Sequence, residues 1–137
     1  MKRQVVHTAA VTETTESYAR AVAVGDWIFV SNTSGRNYDT KELSTTVAGQ
    51  TNQVLDNVER ALATVGATFQ DVVRRLVIVP DVKDAAEVMA IVGERFRGAK
   101  PASTVLCSPL GVAEFRVEIE VTAYRGSGQA ETETFKI

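Results

Sequence analysis

Apolar residues fall in short alternating runs toward both ends of the chain and in two helical stripes between them. Ala19 to Val24 and Trp27 to Ser31 are rich in strand-forming residues, and Gly25-Asp26 between them is a hairpin signal. The stretch 32–44 (NTSGRNYDTKELS) is dense in turn formers and reads as a long loop, a kind that is often functional. From about Thr46 the period changes. Val47, Val54, Leu55, Val58, Leu62 and Val65 keep to one face of a helical repeat, and Gly66 supplies its stop. Val72 to Val79 is a predicted strand closed by Pro80. A second helix is predicted over Asp84 to Phe96, with Val88, Ile91, Val92 and Phe96 as its stripe and Gly98 as its end. Thr104 to Cys107 and Phe115 to Tyr124 are the last strands, read as a closing hairpin within Lys100 to Tyr124. The tail 125–137 turns polar and is expected to be loose or a late edge strand.

This order predicts an α+β layer pair. Each helix has one apolar stripe, so both should cover the same face of the sheet. The other face then needs cover, and contact with another subunit in a closed oligomer is expected. On the last strand Phe115, Val117, Ile119 and Val121 point one way and Arg116, Glu118, Glu120, Thr122 and Tyr124 the other. Charges on so apolar a strand need water or a partner. Glu118 and Glu120 would stand about 7 Å apart by strand geometry. As a pair, repulsion and burial would raise one pKa toward the range of acid–base catalysis. As rim charges they would pair with Arg116, Arg74 or Arg75, which is the reading favoured for Glu120.

Composition narrows the chemistry. At 137 residues the chain is expected to be one domain, and 45% apolar with 23% charged residues is ordinary for a soluble globular protein. A net charge of −2 and a pI near 5.4 give no electrostatic reason to expect nucleic acid or an anionic membrane as partner. Apolar runs are too short to span a bilayer, and no N-terminal run of signal length appears, so a cytoplasmic protein is expected. The single histidine, His7, and single cysteine, Cys107, cannot supply a Cys/His zinc site or an intramolecular disulfide. Cys107 is read as an inert small hydrophobe ending a buried strand. His7 is read as a plain surface or strand residue.

A family pattern emerges from several stretches taken together. Ser17 to Val22 with Gly25, Trp27 to Ser31, and Gln50-Thr51 with Leu55, Asn57 and Val58 make its first half. Thr64 to Ala67, Asp71 to Val73, Pro101-Ala102 and Val117 to Val121 complete it. In order and spacing, from about Tyr18 to Tyr124, the chain resembles the YjgF/RidA family, the reactive-intermediate deaminases also called endoribonuclease L-PSP. The resemblance implies a chorismate-mutase-like α+β fold and a homotrimer with clefts between subunits. It implies hydrolysis of imines and enamines, such as 2-aminoacrylate, with no metal or organic cofactor. In the family an arginine after Pro-Ala grips the substrate carboxylate, a strand glutamate orients water, and an N-terminal tyrosine lines the cleft.

On this chain the glutamate falls on Glu118, the tyrosine on Tyr18, and the arginine position on Ser103. The departure marks an arginine-lacking branch. A serine supplies no charge, and losing a charged hydrogen-bonding partner costs about 1.5–3 kcal/mol. Two smaller departures are Ser31-Asn32 in place of Ser-Gly and Met89 where asparagine is common. The expected site is therefore Glu118 to position water, with backbone around Ser31 and Val105, and Ser103, to hold a small metabolite without a strict carboxylate requirement. Arg36 and Tyr38 would bring a replacement cation and an aromatic wall, or else lie on a solvated loop. A non-catalytic small-molecule-binding or regulatory trimer is the alternative function, and a ribonuclease the weakest.

Overall fold

A computed structural model describes all 137 residues. Its strands are β1 (Arg3–Val6), β2 (Ala21–Val24), β3 (Trp27–Thr33), β4 (Val72–Ile78), β5 (Ala102–Leu106) and β6 (Glu118–Tyr124). The helices are α1 (Val11–Thr15), α2 (Val47–Thr64) and α3 (Ala85–Arg95). One mixed sheet runs in the order β1-β2-β3-β6-β4-β5, with β4 and β5 parallel and every other pair antiparallel.

Both long helices form where the periodicity places them. Thr46 caps α2 by accepting from the Gly49 N–H, and Gly66, at φ 78°, takes the left-handed conformation that ends it. Val54, Leu55, Val58 and Leu62 of α2 and Val88 and Val92 of α3 are buried with Ala21, Ala23, Ile28, Val30, Val77, Ile119, Val121 and Ala123 of the sheet. The two helices therefore cover one face, as expected. Leu55 is fully buried at the centre of this layer. Leu55→Ala should cost about 2–5 kcal/mol, read as a lower denaturant midpoint with an unchanged slope.

The sheet's other face is open and largely apolar. By register Val5, Val22, Phe29 and Thr122 line up across it, as do Trp27 and Tyr124, whose rings meet edge-on at 5.0 Å. Val5, Trp27, Phe29, Leu106 and Tyr124 are all exposed there.

Several sequence expectations need correction. The last two strands are not a hairpin. β5 pairs only with β4 at the sheet edge, while β6 is inserted between β3 and β4. The 11-residue connection Cys107–Val117 crosses from one to the other, so turn chemistry did not decide the pairing. Arg116 lies before β6 and forks onto Asp84, both nitrogen–oxygen contacts of Nη2 being 3.0 Å. Glu120 is exposed and makes no ion pair with Arg116, Arg74 or Arg75. Cys107 is exposed rather than buried, since it falls just past an edge strand. β1 and α1 have no counterpart in the predicted elements, because their alternation is short and polar. The tail adds no strand. Arg125 instead ties it down, donating to the Val65 and Gly25 carbonyls at 2.9 Å each and to Asp26 at 3.0 Å. No helix is long and apolar enough to cross a membrane.

Candidate functional site

A cleft of about 710 Å³ opens beside the first residue of β6. Five segments wall it: residues 8–12, Tyr18 and Arg20 just before β2, the end of β3, the loop 34–41, and the connection that delivers Phe115 and Glu118. Helix α2 holds the last two in place with polar side chains. Gln50 is buried, accepts from the Arg116 N–H at 2.8 Å and donates to the Glu114 and Ser44 carbonyls at 2.9 and 3.0 Å. Asn57 donates to the Ser34 and Arg36 carbonyls at 3.1 and 2.9 Å. Buried polar groups so fully satisfied fix a backbone rather than merely tolerate burial. Gly35 completes the fit, because a side chain there would meet the Gln50 carbonyl at 2.6 Å.

Asn32 and Thr33 thus belong to β3 rather than to the predicted loop, residues 34–38 form a pinned wall, and 39–42 stay exposed. Arg36 donates to the Lys41 carbonyl at 3.0 Å and lies 5.5 Å from the centre of the Phe115 ring. Tyr38 is half-buried, and its hydroxyl is enclosed without an aligned hydrogen-bond partner. Burial raises its pKa, opposed by the charge of the neighbouring Arg20 and by a loose side-chain hydrogen bond from it. Tyr18 meets Thr12 through their hydroxyls at 2.9 Å, and Ser31 spends its hydroxyl on the Ala19 carbonyl at 2.7 Å.

Glu118 is half-buried at the cleft and accepts a short hydrogen bond from the Asn32 amide. Burial lifts its pKa above the ordinary 4.5, against the opposing charge of Arg20 and the Asn32 bond. That is the environment expected of a carboxyl group poised to exchange a proton. Across the lining, three cations (Arg20, Arg36 and Lys41) face this one carboxylate.

Glu118, Tyr18, Ser31, Arg36 and Tyr38 therefore share one cleft. Ser103 and Val105 do not. By register they stand with Arg75 and Val77 on the helix side of edge strand β5, whereas Glu118 stands with Ile78 and Leu106 on the open face. Ser103 accepts from Arg75 Nε at 3.0 Å within its own chain. Arg20 and Asn32 were not among the expected site residues. A signal existed for Arg20, a charge within the apolar run Ala19–Val24, which is the same signal that singles out Glu118. No group of three or more His, Cys, Asp or Glu side chains is arranged to hold a metal ion.

The endoribonuclease L-PSP family model matches residues 8–125. The chain belongs to this family. It is the YjgF/RidA family of the sequence resemblance, and the match runs from the N-terminal wall of the cleft through β6, taking in every strand but β1. A human 2-iminobutanoate/2-iminopropanoate deaminase is 31% identical over 128 residues, covering 90% of this chain and 91% of its own. A RutC family protein of Pyrococcus abyssi is 28% identical, covering 91% and 99%. Among solved structures, a member of the YjgF/YER057c/UK114 family from Mycobacterium tuberculosis superposes with a TM-score of 0.82 at 31% identity, covering 90% and 99%. RidA from the Antarctic bacterium Psychrobacter superposes with 0.79 at 26% identity, covering 88% and 98%.

The N-terminal wall of this family member hangs on one buried carboxylate. Glu13 accepts from the Thr8 N–H at 3.0 Å, from the Thr8 hydroxyl, and contacts His7 Nδ1 at 3.0 Å. Burial pushes its pKa up, but the Thr8 and His7 bonds and the charge of Arg20 outweigh it, so the net shift is downward. A lowered folded pKa means stabilisation present above the ordinary 4.5 and lost as pH falls through the folded value. Acid should therefore loosen residues 8–12 from the cleft. Protection of the Thr8 to Thr12 amides, taken against their intrinsic exchange rates, should fall in wild type below pH 4.5, whereas Glu13→Gln should lack it already at neutral pH. Equal exchange in the two proteins at neutral pH would remove Glu13 as the clasp.

Proposed function

We propose that the protein hydrolyses the C=N bond of small reactive imines and their enamine tautomers, with Glu118 orienting and deprotonating the attacking water. The observation that carries this reading is Glu118 itself: a half-buried carboxyl group of raised pKa, fixed by Asn32, at the wall of a cleft of metabolite size. The resemblance to proteins named 2-iminobutanoate/2-iminopropanoate deaminase, at 31% identity, supports the reaction class.

The steps balance without a cofactor. Water oxygen bonds to the imine carbon as the C=N electron pair moves to nitrogen and one water proton passes to the Glu118 carboxylate, which returns it to nitrogen to give a carbinolamine. The carbinolamine hydroxyl proton is then relayed through Glu118 to nitrogen, the C–N bond breaks as the C=O bond forms, and ammonia leaves behind a carbonyl product. Glu118 must be ionised at the start, so the rate should rise with pH through its raised pKa.

The reading extends to assembly. Ser103 and Val105 reach a Glu118 cleft only from a neighbouring copy, and the exposed apolar face of Val5, Trp27, Phe29, Leu106 and Tyr124 supports such packing. A homotrimer with clefts between subunits satisfies both. One observation favours the alternative, a non-catalytic binding trimer: Ser103 carries no charge and is engaged by Arg75 of its own chain.

The test couples the protein to a threonine or serine dehydratase at limiting enzyme and follows 2-oxo acid and ammonia release. Acceleration by wild type supports hydrolysis. No acceleration, with small imino-acid analogues still bound, selects the binding reading.

A further inference from the structure

We propose that the anion anchor of this cleft is Arg20, and that the ligand it selects is a small carboxylate with an adjacent N–H group. This rests on the reading of the Glu118 cleft as the substrate site. Arg20 is only 9% exposed, yet it makes no ion pair. Its Nη2 donates to the Asn32 carbonyl at 3.1 Å, and its guanidinium sits 5.7 Å from the centre of the Tyr18 ring. Nε is buried without an aligned partner, and the guanidinium engages the Tyr38 hydroxyl only loosely.

That orphan has company. In the whole chain three buried side-chain atoms lack a hydrogen-bond partner: Arg20 Nε, Asn32 Oδ1 and the Tyr38 hydroxyl. All three residues line the same cleft. Unpaired buried polar groups are costly and rare; Arg20 and Tyr38 engage each other only loosely, without an aligned bond, so a ligand oxygen between them would complete both. Their chemistry describes that ligand. Arg20 Nε and the Tyr38 hydroxyl are donors for an oxyanion, and a guanidinium edge suits the planar carboxylate. Asn32 Oδ1 is an acceptor left free for a ligand N–H, because the amide nitrogen is committed to Glu118.

The placement also compensates for Ser103. The positive charge enters the cleft from the segment just before β2, on the same chain as Glu118, instead of from edge strand β5. The charge of Arg20 already acts on both Glu118 and Tyr38, so it lies within reach of the reacting group.

Calorimetric titration with 2-oxobutanoate and with its neutral amide tests this. Wild type should bind the acid more tightly than the amide. Arg20→Gln should weaken acid binding about tenfold to a hundredfold and leave amide binding nearly unchanged. Arg20→Lys should recover part of the loss. In the hydrolysis assay the Gln variant should raise KM more than it lowers kcat. Equal loss for acid and amide would make Arg20 merely structural and overturn the proposal, as would undiminished acid binding or no binding by wild type. Should Arg20→Gln fail to fold, Tyr38→Phe takes its place and should weaken acid binding selectively; no selective loss overturns the proposal. The two readings fail separately. Arg20-dependent acid binding without imine hydrolysis sinks the catalytic reading alone, and hydrolysis indifferent to Arg20 sinks only the anchor.

Discussion

Glu118→Gln is expected to slow imine hydrolysis by about 100- to 10,000-fold, the usual contribution of a positioned acid–base group. Glutamine keeps the shape of the side chain and can still meet Asn32, so the loss should fall on kcat with KM little changed. The same variant should be more stable than wild type at neutral pH. Burial raises the folded pKa of Glu118, so the stability tied to that group is complete below the ordinary 4.5 and is lost as pH rises through the raised value. Glutamine has no such loss. Thermal melts should therefore show the variant ahead at pH 7, with the gap closing toward acid. Weakening at acid pH from Glu13 is common to both proteins and cancels in the comparison. A variant that is inactive but no more stable would separate the catalytic role of Glu118 from its burial.

Phe29→Glu is expected to have the other large effect. Phe29 sits on the open face with Val22 and Thr122 as its cross-strand neighbours, and it is 50% exposed in the isolated chain. An unpaired carboxylate buried there in an assembly costs several kcal/mol, enough to dissolve the contact. Light scattering should change from trimer to monomer at micromolar concentration. The monomer should remain folded, because the helix-side core is untouched. Hydrolysis should fall to background if, as proposed, a neighbouring copy completes the cleft. An intact trimer, or a monomer of full activity, would remove the inter-subunit cleft from the account.

Much of this was legible in the chain, for reasons that differ by element. α2 and α3 announce themselves because periodicity, N-cap and terminal glycine agree over one continuous segment. The β2–β3 pairing is equally local, fixed by the two-residue turn at Gly25-Asp26. β5 and β6 were legible as strands but not as partners. Their neighbours are chosen by long-range packing against β3 and β4, which no local pattern encodes. The same limit explains Arg116, whose partner Asp84 lies at the head of α3 rather than on the strand.

The site divides in the same way. Glu118, with its alternating apolar neighbours, carries its own signal, and Tyr18 and Ser31 follow from the family pattern. Arg36 and Tyr38 were ambiguous until Asn57 and Gln50 proved to pin their loop and the opposite wall. Asn32 was silent because its significance is geometric, and Arg20, though marked by its charge in an apolar run, meets Glu118 only once the chain folds around β3. Ser103 on β5 lacks the expected charge, while a buried cation stands just before β2.

The most direct test of the account is the coupled dehydratase assay run side by side with wild type and Glu118→Gln at matched concentration. Wild type should accelerate release of 2-oxo acid and ammonia, and the variant should leave the spontaneous rate unchanged. Equal acceleration by both proteins, or none by wild type, would contradict it.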